Sequence, residues 1–174
     1  MQIPAQETII KILDDDGTFP NNAKLPLIIY KGAVEMEEGD ATLVEKLFKD
    51  HRWGGSWRNG IFPYHHYHST AHEVLGIYRG SAKVQLGGPH GIQTEVSAGD
   101  VIIIPAGVAH KNLEASLDFA CVGAYPPGQS FDMNYGKAGE RPEADQNIRR
   151  VAFPPTDPVY GDRGGLMKQW GLDR

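Results

Sequence analysis

Cysteine is nearly missing from this sequence. The single one, Cys121, allows no intrachain disulfide, which fits a reducing compartment and sets the expectation of a cytoplasmic protein. A lone cysteine among apolar neighbours reads as a small buried residue and not as a nucleophile. Blocks of lysine and arginine are also missing, and the 174 residues carry a formal net charge of −5. Neither nucleic acid nor a membrane surface therefore has electrostatic support as a partner. Long apolar runs are absent too: the longest, VIII at residues 101–104, is far too short to span a bilayer. The opening MQIPAQETIIKIL lacks the basic region, apolar core and small-residue cleavage site of a secretory signal. No internal repeat and no helix-turn-helix pattern occurs, which sets aside a DNA-binding regulator.

What the sequence has in quantity is turn formers, with 21 glycines and 12 prolines. That favours many strands joined by turns. The length suits one domain with a real core, in three parts. Residues 1–59 read as an N-terminal wrap. It holds an edge strand at 9–13, the turn DDDGTFPNN, a second strand at 25–30 and a helix over 40–51. Asp40 is placed to cap that helix, with Leu43, Val44, Leu47 and Phe48 on one face. RWGGSWRNG follows as a loop. Residues 60–126 read as β throughout, in the runs YHHYH, EVLGIYR, AKVQLGG, QTEVSAG, VIII, AHKNL and DFACVGAY, with a hairpin turn at 87–91. Residues 127–174 form a polar, proline-rich extension expected to pack outside the barrel or to serve a subunit contact.

The chemistry is concentrated in GIFPYHHYHSTAHEVLGIYRG, residues 60–80, and in GDVIIIPAGVAHKNLE, residues 99–114. Side chains alternate across a strand, so His66 and His68 share a face, with Tyr64 beside them and His65 turned away. Glu73 opens the next strand after a turn, and His110 follows the Pro105-Ala106-Gly107 bend. Three imidazoles and a carboxylate suit one divalent ion, and Fe, Zn, Mn, Ni and Co all accept such ligands. His72 is the rival to Glu73 if the strand bulges. His51 and His90 read as solvent-facing, and Asp14 to Asp16 as a solvated turn. Trp53 and Trp57 read as a hydrophobic cover over one barrel end. Leu75 and Ile77 share the face of Glu73 and are candidate pocket walls. Tyr64, Asn112, Phe119 and Tyr125 are candidate substrate contacts. Arg79 has inward parity if its strand stays regular, where it could hold a carboxylate or phosphate.

These two segments resemble the two sequence motifs of the cupin superfamily. The first, G-x5-H-x-H-x4-E-x6-G, is met by Gly60, His66, His68, Glu73 and Gly80. The second, G-x5-P-x-G-x2-H-x3-N, is met by Gly99, Pro105, Gly107 and His110, with Glu114 in place of the final asparagine. The chain looks like a small single-domain bacterial cupin. The resemblance implies an all-β fold, a double-stranded β-helix or jelly-roll barrel, with one or two flanking N-terminal helices or strands and a metal at its centre. It also implies a homodimer.

The fold leaves the reaction open. The favoured reading is a metal-dependent enzyme acting on a small-molecule substrate, an oxidoreductase of the dioxygenase type. One alternative is a metal-dependent isomerase or lyase using Tyr64 or Glu73 as base. Another is a non-catalytic metal- or ligand-binding module, which would have a closed metal site with no room for substrate.

Overall fold

A computed structural model describes residues 1–173. The chain folds into nine strands and three helices among the described residues. These are β1 (Glu7–Leu13), β2 (Asn22–Lys31), α1 (Ala41–Asp50), β3 (Gly54–Asn59), β4 (Glu73–Arg79), β5 (Ser81–Leu86), β6 (Ile92–Ser97), β7 (Val101–Ile104), β8 (His110–Ala115), β9 (Ala120–Tyr125), α2 (Glu143–Arg150) and α3 (Gly165–Gln169). Six strands form one antiparallel sheet in the order β1-β2-β7-β4-β9-β3, and three form another in the order β6-β5-β8. The two sheets enclose one core, in the jelly-roll arrangement. No helix among the described residues is long and apolar enough to cross a membrane.

The central strands of the larger sheet are buried on both faces, which explains runs such as LPLIIY and VIII that lack polar alternation. Leu27, Ile29, Leu75, Ile77, Ile102 and Ile104 point into the barrel. Their neighbours Ile28, Tyr30, Val74, Tyr78, Val101 and Ile103 point outward into a second core. That outer core is closed by α1 and by Val159, Leu166 and Trp170 of the C-terminal segment. Asp40 caps α1 by accepting from the Leu43 N–H at 3.1 Å, and Val44, Leu47 and Phe48 are buried. Asp157 is fully buried and ties the closing segment down. It accepts hydrogen bonds from the Tyr30 hydroxyl and from the backbone N–H groups of Val159, Tyr160 and Leu166.

Several expectations are corrected. RWGGSWRNG is not a loop: its residues 54–59 form β3, paired with β9. Serine, tryptophan and asparagine between glycines give little strand signal, and the pairing with β9 supplies it. YHHYH is not a regular strand. It is held by two isolated bridges, His66 with His110 and Tyr67 with Asn134. His51 is not solvent-facing, because its Nδ1 lies 3.0 Å from the Leu47 carbonyl and 3.1 Å from that of Pro158. The acidic turn is not merely solvated: Asp15 pairs with Arg141, and Asp16 accepts from the Thr18 and Phe19 N–H groups. The extension holds two short helices, α2 and α3, and builds part of the barrel opening. Trp53 lies in the outer core, and Trp57 lines the opening.

Candidate metal centre

Three histidines converge inside one end of the barrel. His66 and His68 come from the irregular segment before β4, and His110 from the first residue of β8. The His66 N–H donates to the His110 carbonyl at 3.2 Å, and the His110 N–H returns to the His66 carbonyl at 2.9 Å. This reciprocal pair puts the two rings side by side, centroids 4.1 Å apart. His68 is carried in by the bridge of Tyr67 to Asn134 and by the Gly107 N–H, which donates to its carbonyl at 2.8 Å. Gly107 has φ +95, and a side chain there would meet the Asn21 carbonyl at 2.3 Å, so only glycine makes this bend. One nitrogen from each of His66, His68 and His110 lies within 4.8 Å of the others, and all three residues are buried.

Each ring has its tautomer set by a carbonyl. Nδ1 of His66 faces the Tyr64 carbonyl at 3.0 Å, that of His68 the Asp132 carbonyl at 2.7 Å, and that of His110 the Val108 carbonyl at 3.1 Å. Carbonyls only accept, so Nδ1 carries the proton and Nε2 of each neutral ring offers a lone pair. Burial, reinforced by the neighbouring His110, pushes the His66 pKa down to about 3, which keeps that ring neutral.

Glu73 lies against two of these three rings. Its Oε1 lies 3.2 Å from His110 Nε2 and 3.5 Å from His68 Nε2. Its Oε2 accepts from the Tyr125 hydroxyl at 2.8 Å, which itself accepts from the Trp57 indole N–H at 2.6 Å. Burial would raise the Glu73 pKa, but His68 and His110 outweigh it and hold the carboxyl well below the usual range. His68 answers in kind: burial lowers its pKa, and Glu73 more than restores it. Three imidazoles gathered around one point, with an ionised carboxylate against two of them, are donor types that fit a divalent transition ion.

A pocket of about 340 Å³ opens onto this group. Its wall includes Leu75 and Tyr125, both anticipated. It also includes Trp57, expected as a cover over one barrel end, and Phe131, Met133 and Tyr135, which were not anticipated. The last three alternate with Asp132 and Asn134 in FDMNY, a period-two signal hidden in a polar, proline-rich tail. Asp132 was missed as well, although its carbonyl orients His68 and its carboxylate holds Ser69.

Other candidates lie elsewhere. The Tyr64 side chain is exposed at the rim and stacked on Phe62, because strand parity does not govern the irregular segment. Ile77 is buried deeper in the barrel core, and Phe119 packs beside that core. Asn112 sits on β8 opposite Val84, ahead of the register shift against β5, and does not line the pocket. Arg79 is exposed and donates to the Asp118 carbonyl at 2.9 Å, because a register shift between Ile77 and Arg79 reverses its face. Glu114 is also exposed, opposite Lys83. His65 packs on Phe19, and the buried His72 accepts from the Ala106 N–H through Nδ1, so neither joins the cluster.

Residues 58–117 match the cupin domain family, Cupin_2. The uncharacterised protein YjlB from Bacillus subtilis (strain 168) is 43% identical over 165 residues, covering 95% of this chain and 98% of that protein. Among solved structures, acireductone dioxygenase from Bacillus anthracis, with a cadmium ion in its active centre, is 16% identical with a TM-score of 0.39. The match covers 52% of this chain and 62% of that one. Procruciferin, an 11S globulin from Brassica napus, is 20% identical with a TM-score of 0.40, covering 80% of this chain and 37% of that one. Likenesses this distant leave the functional reading to the site itself.

Proposed function

This chain belongs to the cupin superfamily, and on that premise we propose that it is a mononuclear metal-dependent enzyme acting on a small molecule, an oxidoreductase of the dioxygenase type. The observation that carries the proposal is the convergence of three buried imidazoles beside Glu73 at the floor of an open pocket. His66, His68 and His110 would hold the ion through Nε2, with Glu73 as the fourth ligand. A divalent ion so held would supply Lewis acidity and, as iron, redox capacity, while retaining about one positive charge and one or two open positions.

The chain's own residues do the rest. The carbonyls of Tyr64, Val108 and Asp132 keep the three Nδ1 protons in place, which fixes ring orientation. Tyr125 keeps its hydroxyl proton on Glu73 Oε2, which leaves Oε1 as the oxygen directed at the histidines. Leu75 and the aromatic wall exclude water from the reacting end of a substrate. An open pocket counts against the non-catalytic reading, which calls for a closed site. The isomerase or lyase alternative keeps Glu73 as its candidate base, with Tyr125 against it in place of the exposed Tyr64. The buried Cys121 donates to the Asn59 carbonyl at 3.2 Å, and burial raises its thiol pKa. It is therefore no nucleophile, and a reducing, cytoplasmic setting fits it.

We include a homodimer in the proposal. β1 is one of the two edge strands of the larger sheet, and its Ile10 and Ile12 are exposed, a surface suited to pairing with a second copy.

The test is dioxygen consumption by iron-loaded protein against small diols, thiols and keto acids, with His66→Ala as control. Uptake that disappears in His66→Ala supports the oxygenase reading. Bound metal with no uptake for any substrate, together with metal-dependent isomerisation of a keto acid or diol, transfers the assignment to the Lewis-acid alternative.

A further inference from the structure

Phe62, Tyr64, Phe131 and Tyr135 are four of the five exposed large aromatic side chains among the described residues, and all four gather at the mouth of this one pocket. Exposed apolar area concentrated in one place marks a binding surface. Two of these rings bear directly on the candidate ligands. Phe62 meets the His66 ring edge-on at 5.2 Å, and Phe131 meets the His68 ring at 5.1 Å. Each is backed by a stacked partner: Phe62 lies on Tyr64 at 5.1 Å and 11°, and Phe131 on Tyr125 at 5.2 Å and 22°. Phe62 and Phe131 are 46% and 47% exposed, so neither is a core residue that merely borders a cavity.

The charges of the pocket are equally telling. Apart from the histidines, its wall contains two ionisable charges, Glu73 and Arg58. Glu73 is engaged with His68, His110 and Tyr125. Arg58 is turned to α1, where its guanidinium pairs with Glu45 and lies 3.4 Å from the Thr42 hydroxyl. No other lysine or arginine lines the cavity, and Arg79 lies outside it. A phosphate or a second carboxylate on the far end of a ligand would enter without a counter-charge, at a desolvation cost nothing repays. A volume of about 340 Å³ is at the small end for ligand sites.

Resting on the metal-centre reading above, we infer that the substrate class is a small aromatic compound with an uncharged, flat body and its polar oxygen at one end only. The oxygen faces His66, His68, His110 and Glu73, and the ring packs against Phe62 and Phe131. Nucleotide sugars, phosphorylated metabolites and zwitterionic amino acids are outside the class.

The test is titration calorimetry on cobalt-loaded protein with three probes that share a carboxylate head: benzoate, cyclohexanecarboxylate and terephthalate. Benzoate is expected to bind about tenfold more tightly than its saturated analogue, the yield of two ring contacts. Terephthalate, with its remote charge, is expected to bind at least about tenfold more weakly than benzoate. In Phe131→Ala, whose exposed site tolerates truncation, the ring preference should fall severalfold. Equal binding of benzoate and cyclohexanecarboxylate, or of benzoate and terephthalate, overturns the inference. A second arm uses metal-free protein with benzyl alcohol and cyclohexylmethanol, read at the Trp57 indole N–H resonance. Trp53 and Trp170, buried and bonded to the Thr156 and Pro26 carbonyls, serve as internal references. Failure to load cobalt sinks the metal-centre reading, and this arm then decides the ring preference alone. Selective shifts of Trp57 by the aromatic alcohol uphold it, and equal or absent shifts refute it.

Discussion

Glu73 is divided between two tasks. One oxygen faces His68 and His110, and the other is held by Tyr125, which Trp57 holds in turn. Removing the Tyr125 hydroxyl leaves that carboxylate oxygen free to turn, and partners of this kind are worth about 10–100-fold in metal affinity. Tyr125→Phe is therefore expected to weaken metal binding by that factor while leaving the thermal unfolding of the metal-free protein near that of wild type. Competition with a chromophoric chelator measures it. Gly123 guards the same chain of contacts. A Cβ there would fall 2.2 Å from the Trp57 ring, so Gly123→Ala must displace the indole. Overpacking of this kind costs about 1–3 kcal/mol, and the predicted result is a lower denaturant midpoint together with weaker metal binding.

At the scale of elements, the strands of the larger sheet were legible because their runs are long, apolar and rich in isoleucine and valine. The helix was legible because Asp40, Val44, Leu47 and Phe48 carry its cap and its period. The segment 60–72 was legible only in part. Its histidines stood out by type and spacing, but the parity argument assumed a strand, and the chain is held instead by two isolated bridges. That is why His66 and His68 converge while Tyr64 turns outward. FDMNY was missed because prolines and glycines surround it, and its partner, Tyr67, lies far away in sequence.

Asp132 within that segment gives a pH prediction. Burial raises its pKa, but the Ser69 and Asn134 hydrogen bonds outweigh this and hold it below the ordinary aspartate range. A carboxylate depressed on folding contributes stability that is complete above its unfolded pKa and is lost as pH falls through the folded one. Asp132→Asn should be less stable than wild type at neutral pH, and the gap should narrow below about pH 3.8. Urea unfolding at several pH values reads it; a gap that stays constant refutes the role. Asp157 plays a purely structural part in the C-terminal closure. Asp157→Ala would leave the buried Val159 N–H, the half-buried Tyr160 N–H and the Tyr30 hydroxyl without their acceptor, and the expected loss is about 3 kcal/mol, read by the same method.

For the whole molecule, the central strands buried on both faces make a frame, and the frame brings side chains from distant parts of the chain to one point. A cation bound only by the folded chain must stabilise it. At a hundredfold excess over its dissociation constant the gain is about 2.7 kcal/mol, or roughly 5–10 °C in Tm for a chain of this size. Chelation should lower Tm by that amount in wild type and leave the Tm of His68→Ala unchanged.

The most direct measurement of the central claim is metal content by mass spectrometry, on protein expressed and purified without added metal, for wild type and His110→Ala. Wild type should retain about one divalent transition ion per chain, as a single mononuclear site requires. A correctly folded His110→Ala should retain at least about tenfold less, since a first ligand matters no less than its supporting partners. Folded wild-type protein that carries no such ion, and takes none up from a cobalt, iron or zinc solution, would contradict the account.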